Sequence, residues 1–180
     1  MLALPSPGTH AGTGAGVARP DPLQSTVALG STFVVNMYLD GIANVYGADM
    51  QLTYDPTLLQ VQDVDPNVPG VQIQPLSTFL KDDFVIRRKA CNQVDPSDPD
   101  CMIAGFAWYA ATQLNPALPV SGSGPIAAVT FRAIREGVSP VDVRYVQLSS
   151  PNGVEIPVSK QSGQVIIGAG QTSTPTATNT

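Results

Sequence analysis

Apolar residues recur at every second position over several stretches of the chain. Residues 33–39 show this alternation, and residues 48–54 repeat it after a short break. A period of two is the pattern of a half-buried strand, whereas an amphipathic helix would repeat about every 3.6 residues. Residues 129–133 follow the same rule. The pattern therefore predicts β-strands at all three places.

The stretch 141–148 changes phase part-way along. Val141 and Val143 share one parity, while Val146 and Leu148 share the other. A β-bulge inserts one extra residue into a strand and shifts the alternation by one. The sequence therefore predicts a bulge near Arg144.

Shorter apolar runs bring the number of predicted strands to nine. Turn signals such as Asp55-Pro56 and Asn152-Gly153 separate them. Many short strands with frequent turns are typical of a sandwich. We therefore predict an all-β fold, a nine-stranded two-sheet β-sandwich with jelly-roll topology. The shorter runs lie at residues 16–19, 58–64, 84–88, 102–110 and 164–167.

The two ends of the chain differ in composition from its middle. Residues 1–16 are rich in Gly, Ala, Thr and Pro, and the tail from Gln171 is a Thr/Ser/Pro segment. Such segments bury too little apolar surface to offset the entropy of ordering, and they are typical of linkers. We expect a flexible segment at 1–16, a sandwich at 17–169 and a linker at 170–180. A frayed terminus is the alternative interpretation of the tail.

Composition and charge exclude several classes of protein. Only 13% of the residues are charged, and the 16 Gly and 17 Pro leave little room for long helices. The net charge of −5 leaves no basic stripe for a nucleic acid. No apolar run approaches the roughly 20 residues that span a bilayer, so we expect no membrane insertion.

The sequence gives little support for catalysis or for a metal site. The single histidine, His10, precludes a site with two imidazoles and disfavours a Ser-His-Asp nucleophile. The acidic clusters 63–67 and 95–100 echo calcium loops but lack the full ligand spacing and the bidentate glutamate. We expect a protein that is not an enzyme and that needs neither cofactor nor tightly bound metal.

Cys91 and Cys101 enclose one acidic loop, C-N-Q-V-D-P-S-D-P-D-C. The spacing is too wide for a redox C-x-x-C, and the chain lacks the further ligands of a zinc site. A disulfide is the favoured interpretation, with two free thiols as the alternative. Because disulfides persist in oxidising compartments, the pair favours an extracellular, secreted or cell-surface protein.

Three segments in order resemble a known family. They are residues 30–64, 121–133 and 163–167, with the strand end Tyr54-Asp55-Pro56 and the turn-like Ser123-Gly124-Pro125 as the most telling pieces. This set resembles the cohesins, the modules of bacterial cellulosome scaffolds that bind dockerins. Independently of the resemblance, Asp55-Pro56 should fix a turn, Tyr54 should place its ring in the core, and Gly122 and Gly124 should form a turn.

The resemblance implies a partner-binding face on one sheet, made by the third, fifth, sixth and eighth strands. We place these strands at about 46–54, 84–89, 102–110 and 141–149. Cohesins that bind type I dockerins often carry Asn and Asp two residues apart on the third strand. Here Asp49 matches the aspartate, whereas Gly47 stands in place of the asparagine.

The sixth strand of this arrangement is apolar on both parities, so whichever side points outward offers a hydrophobic patch. The alternative interpretation, and the commoner outcome for such a residue, is that Trp108 belongs to the core. The basic run 87–89 suits either this face or a solvated edge strand. The predicted partner-binding residues are Asp49, Gln51, Thr53, Arg87, Phe106, Trp108 and Tyr109.

We therefore expect a non-catalytic module of a scaffold that binds a dockerin-like protein. One alternative is a structural subunit of a surface layer or filament that self-assembles by strand complementation. A carbohydrate-binding module is a third hypothesis, which a flat row of exposed aromatic side chains would favour.

Overall fold

The computed structural model describes residues 16–169, so the expectations for residues 1–15 and 170–180 lie outside the described residues. Residues 16–169 form fourteen strands and one short 3-10 helix, Pro99–Cys101. Nine of the strands are five residues or longer, and the others span two or three residues. The all-β fold and the two-sheet β-sandwich are confirmed. The strands are β1 (Gly16–Asp21), β2 (Gln24–Ala28), β3 (Thr32–Val45), β4 (Gly47–Tyr54), β5 (Leu59–Val61), β6 (Val71–Gln72), β7 (Gln74–Pro75), β8 (Phe84–Cys91), β9 (Phe106–Thr112), β10 (Val120–Ala133), β11 (Gly137–Ser149), β12 (Glu155–Ile156), β13 (Val158–Lys160) and β14 (Gly163–Gly168).

Each strand belongs to one of two sheets. The first sheet has the order β13-β1-β3-β10-β5, with β7 also pairing with β10. The second sheet has the order β2-β14-β11-β4-β9-β8-β6, with β12 also pairing with β11. The strands β11, β4, β9 and β8 are antiparallel neighbours, so they form one continuous surface in the second sheet.

The core lies between the two sheets and is built by the alternation seen in the sequence. On β4, Met50 and Leu52 are fully buried, and on β3 Met37 and Leu39 are fully buried as well. Phe131 of β10 is fully buried in the same core, and its ring centroid lies 5.0 Å from that of Tyr54 in an edge-on arrangement. Each large apolar side chain that leaves water in this way contributes about 1.5 to 3 kcal/mol.

The predicted bulge in β11 is present. Val143 pairs with Leu52 and Tyr145 pairs with Gln51, so the register shifts at Arg144. The apolar residues before and after the bulge therefore point into the same core. Leu148, after the bulge, is as fully buried as Val141, before it.

Three predicted elements differ from the structure. The strand expected at 58–64 is only β5, and the strand expected at 102–110 begins at Phe106. Gly122 and Gly124 form no turn but lie inside β10, where the register with β3 shifts. A Cβ atom at Gly124 would stand 2.5 Å from the Cβ of Phe79, so the glycine admits a close approach. β2 was not predicted, because an edge strand with the sequence QSTVA carries little apolar signal.

Candidate functional site

The outward side of β11, β4, β9 and β8 forms the surface that we call the outer face of the second sheet. The strand register places its residues in rows. One row runs from Tyr145 through Gln51 and Trp108 to Lys89. The adjacent row carries Gln147, Asp49, Ala110 and Arg87 in the same strand order. The first row therefore alternates aromatic and polar side chains, and the second carries polar side chains on every strand except β9.

Asp49, Trp108 and Arg87 form a cluster at the centre of this face. The indole N–H of Trp108 donates a hydrogen bond to Oδ1 of Asp49 over 2.7 Å. The guanidinium of Arg87 lies over the Trp108 ring, 5.4 Å from its centroid. All three side chains are partly buried. The sequence predicted each of these residues separately, and the structure brings the three together.

The carboxyl group of Asp49 is partly removed from water. Burial raises its pKa above the ordinary value, while the hydrogen bond from Trp108 and the charge of Arg87 pull it back down. The ionised form is thus tolerated but costly. Oδ1 accepts the bond from Trp108, and within residues 16–169 no hydrogen bond reaches Oδ2. That second oxygen can accept a donor from outside the domain.

The predicted disulfide is confirmed. Cys91, at the end of β8, is bonded to Cys101 in the 3-10 helix, with their Cα atoms 5.4 Å apart. Between them Asp95 N–H donates to the carbonyl of Cys101 over 2.9 Å, and Cys101 N–H donates to that of Asp98 over 2.8 Å. The disulfide loop, residues 91–101, is therefore closed by one covalent bond and by its own backbone hydrogen bonds.

The acidic residues of the disulfide loop pair with the basic residues of β8. Lys89 Nζ lies 2.7 Å from Asp98 and 3.3 Å from Asp100, and Arg87 Nε lies 3.1 Å from Asp100. The Arg87 contact is an ion pair only, since its Nε makes no hydrogen bond of acceptable geometry. The hydrogen bond from Lys89 lowers the pKa of Asp98. Burial alone would lower the pKa of Lys89, but the bonds to both aspartates raise it overall.

Asn92 fixes the disulfide loop to both sheets. Its Oδ1 accepts the Tyr54 hydroxyl over 2.7 Å and the Val61 N–H over 2.8 Å, and its Nδ2 donates to the Val61 carbonyl over 2.9 Å. Tyr54 thus keeps its ring in the core and its hydroxyl at the rim, as the sequence predicted. Because burial disfavours the phenolate, the pKa of Tyr54 is raised well above its ordinary value.

Gly105 ends the segment that leads from the disulfide loop into β9. Its φ is +77°, and a Cβ there would stand 2.5 Å from the Tyr54 carbonyl oxygen. Gly105 N–H donates to Cys91 and its carbonyl accepts from Tyr54 N–H. Only glycine suits a position with this dihedral and this approach. The chain therefore turns here, which is why β9 starts later than the apolar run suggested.

An open pocket of about 300 Å³ lies where the disulfide loop meets the outer face. Met102 and Ile103 form its wall on the loop side and are 59% and 51% exposed. The opposite side is formed by Gln51 and Arg144. Trp108 also lines the pocket, which therefore adjoins the central cluster.

The structure assigns the predicted site residues to different surroundings. Asp49, Gln51, Thr53, Arg87 and Trp108 lie on the outer face. Phe106 shares that side of β9 but is only 5% exposed, packed with the disulfide and Trp108. Tyr109 belongs to the core with 1% exposure, so its inclusion in the partner-binding set was wrong. Its parity is opposite to that of Trp108, and both could not point outward.

Four residues of this surface escaped the sequence analysis. Tyr145 and Gln147 point outward after the bulge, and the Tyr145 hydroxyl donates to Gln147 Oε1 over 2.8 Å. The phase slip at Arg144 was the signal that could have placed them outward. Met102 and Ile103 were assigned to a strand, and nothing in the apolar pattern marked them as loop residues.

The acidic clusters serve the fold. Asp63 Oδ1 accepts the N–H groups of Asp65 and Gln72, and Asp65 pairs with Arg88 over 2.6 Å. Asp95 accepts from the N–H and the hydroxyl of Ser97, the latter bond lowering its pKa most. Among residues 16–169 no three His, Cys, Asp or Glu side chains converge in a metal-binding arrangement.

The family comparison agrees with the fold. Residues 23–87 match the family model described as the Cohesin domain. This stretch contains β2 to β7 and the start of β8, including the Tyr54-Asp55-Pro56 turn. The resemblance to the cohesin family that the sequence indicated is thereby confirmed. A sequence comparison with curated proteins gives no match.

Solved structures of cohesin modules share the fold of this domain. A type II cohesin from the cellulosome of Acetivibrio cellulolyticus has a TM-score of 0.61 at 19% identity, covering 84% of this chain and 95% of its own. A non-cellulosomal cohesin from the archaeon Archaeoglobus fulgidus has a TM-score of 0.58 at 17% identity, covering 86% and 92%. A chain of a type I cohesin-dockerin complex from Clostridium thermocellum has a TM-score of 0.58 at 11% identity, covering 86% and 93%. At such identities the likeness establishes the fold.

Within the described part of the chain, no helix has the length and apolar character needed to cross a membrane.

Proposed function

We propose that this domain is a non-catalytic interaction module that binds a dockerin-like protein through the outer face of the second sheet. The cohesin fold and the Cohesin-domain match support the class of function. One of the similar structures is itself a cohesin-dockerin complex. The face corresponds to the four strands that the resemblance implied.

The central cluster is the observation that carries the proposal. Trp and Arg are the residues most enriched among the few that dominate binding energy in protein interfaces. Here Trp108 is held by Asp49 on one side and covered by Arg87 on the other, so its orientation is fixed before any partner arrives. A preorganised anchor loses less entropy on binding than a mobile one. Asp49 adds a partly desolvated carboxylate with a free acceptor oxygen.

The surroundings of the cluster suit a broad protein partner. Gln51, Thr53 and Gln147 present uncharged polar side chains on either side of it. A central aromatic anchor with a polar rim is the usual anatomy of an interface between soluble proteins. A carbohydrate-binding platform would need several exposed aromatic rings in a row, whereas Phe106 beside Trp108 is buried and Gln51 separates Trp108 from Tyr145 in their row.

The proposal includes an extracellular location, either secreted or attached to the cell surface. Its support is the Cys91–Cys101 disulfide, which persists in oxidising compartments. The family resemblance points the same way.

Titration calorimetry of the full chain against each purified dockerin module encoded in the same genome tests the proposal. We expect one-to-one binding by at least one of these modules. Arg87→Glu should weaken it at least about tenfold. The matched control Arg132→Glu changes an exposed arginine of the first sheet and should bind like the native chain.

Three results would count against the proposal. If no dockerin module binds, the partner class is wrong. If the native chain instead sediments as a concentration-dependent oligomer, the structural-subunit alternative replaces it. Binding that survives both Arg87→Glu and Asp49→Ala would move the site away from this face.

A further inference from the structure

The disulfide loop changes the outer face by adding a wall to one side of it. Met102 and Ile103 leave the loop directly after Cys101 and stand more than half exposed beside Trp108. Two adjacent exposed apolar side chains next to an aromatic ring form a small hydrophobic recess. Its volume of about 300 Å³ is at the lower limit of small-molecule sites, which suits one inserted side chain better than a whole ligand.

The loop also rearranges the charges around this recess. Asp98 and Asp100 pair with Lys89 and Arg87, so the loop itself satisfies the two cations of β8 that reach the face. Arg144 lines the opposite side of the pocket and takes part in none of the ion pairs formed within residues 16–169. Its position in the bulge leaves its side chain exposed. The recess therefore combines an apolar wall with the polar Gln51, the already paired Asp100 and one uncompensated positive charge at its edge.

We propose that this pocket is the specificity site of the outer face: it receives one apolar side chain of the dockerin-like partner, beside which the partner places a carboxylate against Arg144. The inference rests on the proposed function and names what the partner must carry. Exposed apolar area that a partner covers favours binding, and a charge matched across an interface selects against partners with the wrong sign. A cation at the same position of the partner would be repelled.

The disulfide is what makes the pocket a rigid one. Cys101 immediately precedes Met102, and Gly105 immediately precedes β9. The wall is therefore held at both ends, by the covalent bond and by the Gly105 hydrogen bonds to Cys91 and Tyr54. Discrimination between partners of similar size needs such rigidity, because a mobile wall would adapt to each of them.

The test uses the dockerin modules encoded in the same genome as probes, with calorimetry and the emission of Trp108 as readouts. The chain has one tryptophan, so its fluorescence reports directly on the pocket. We expect the double variant Met102→Ser/Ile103→Ser to weaken binding at least about tenfold and to reduce the emission shift on binding. Arg144→Glu should weaken binding by a similar factor, and more so at low ionic strength.

Two matched variants control for general effects. Leu118→Ser removes an exposed apolar side chain of the β9–β10 loop that is 81% exposed, and Arg132→Glu reverses a charge on the first sheet. Both should leave affinity within about twofold of the native value. Replacing acidic residues of the bound dockerin one at a time by Lys should identify one position that restores binding to Arg144→Glu.

The outcomes separate the two proposals. Absence of binding by the native chain overturns the proposed function and this inference together. Native binding that Arg87→Glu abolishes, but that neither Met102→Ser/Ile103→Ser nor Arg144→Glu alters, overturns the pocket alone. Restoration by a charge swap on the partner supports the pocket and identifies the matching carboxylate.

Discussion

Each sheet carries an arginine lying over an aromatic ring on its outward side, and the two pairs differ in their surroundings. On the first sheet, Arg19 of β1 lies 4.4 Å from the centroid of the Tyr38 ring on β3. Its guanidinium forms ion pairs with Asp21 over 2.6 Å and with Asp40 over 3.6 Å. Both carboxylates come from strands of the same sheet, so the charge of this pair is satisfied locally.

On the second sheet, the ring is the centre of the arrangement. Trp108 lies under Arg87, donates to Asp49 and borders the pocket of Met102 and Ile103. The carboxylate that neutralises Arg87 belongs to Asp100 of the disulfide loop.

The contrast shows that an arginine-aromatic pair is not itself a binding site. The first pair has its charge matched by two carboxylates of its own sheet, and it covers that sheet. The second has a desolvated carboxylate with a free oxygen and an adjoining recess, which are features that a partner could use. The following predictions test whether this difference is functional.

Replacing the aromatic residue of each pair by alanine should give the largest difference in partner affinity between the two sheets. We expect Trp108→Ala to weaken partner binding by about 2 kcal/mol or more, which is about 30-fold, whereas Tyr38→Ala should leave affinity unchanged. Calorimetry with the dockerin partner measures both. Denaturant melts should show that Trp108→Ala loses less than the roughly 3 to 5 kcal/mol of a buried Trp, because Trp108 lies on the outer face. Equal losses of affinity in the two variants would remove the distinction.

Opening the disulfide loop should affect stability and binding together. On the loop-entropy model, Cys91→Ser/Cys101→Ser should cost about 2.7 kcal/mol of unfolding free energy. Since the loop carries Asp98 and Asp100 and leads directly into the Met102–Ile103 wall, partner affinity should fall even at temperatures where the variant is folded. Thiol titration of the unfolded, unreduced native chain should find no free thiol. Two free thiols in freshly secreted protein would contradict the bond.

Replacing one carboxylate in each cluster should sharpen the comparison further. Asp49→Ala should cost about 1 to 3 kcal/mol of binding free energy if it leaves a donor of the partner unpaired at the interface. Asp40→Ala, on the first sheet, should have no effect on affinity. Both variants should fold, which near-ultraviolet circular dichroism can verify before calorimetry.

The pH dependence of stability should give the smallest effect, with opposite signs for two aspartates. The pKa of Asp49 is raised, so its contribution is fully present below its ordinary value of 3.8 and is lost as pH rises through the raised value. The pKa of Asp98 is lowered, so its contribution is present above 3.8 and is lost as pH falls through the lowered value.

Urea melts of two asparagine variants can separate these contributions. At neutral pH, Asp49→Asn should be at least as stable as the native chain, with any advantage shrinking as the solution is acidified. Asp98→Asn should instead be less stable at neutral pH and should approach the native value in acid. The same sign for both variants would contradict the assigned burial of Asp49.

The sequence predicted the features that depend on local pattern. The alternation in β3 and β4, the bulge at Arg144, the Asp55-Pro56 turn and the disulfide all follow from residues close together in the chain. The turn is confirmed by Asp55 Oδ1, which accepts the Thr57 N–H over 2.8 Å. These interactions need no knowledge of which strands are neighbours.

The site could be predicted only in part, because its contacts are long-range. Asp49 and Trp108 are 59 residues apart, and only the pairing of β4 with β9 brings them together. β9 is apolar on both parities, so the pattern could not decide between Trp108 and Tyr109. The positive φ of Gly105 settles the phase of the strand, and an isolated Gly in an apolar run does not reveal its dihedral.

The bulge in β11 has a consequence for how the outer face can vary. Arg144 is a supernumerary residue: Val143 and Tyr145 already pair with Leu52 and Gln51, which are adjacent on β4. Deleting Arg144 would leave every flanking side chain on its present side of the sheet, whereas deleting a residue from a regular part of β11 would exchange the two sides for part of the strand. Position 144 can thus change its side chain, or be lost, without altering the sandwich. Substitutions at this position could therefore change which partner binds while the strand pairing of the domain stays the same.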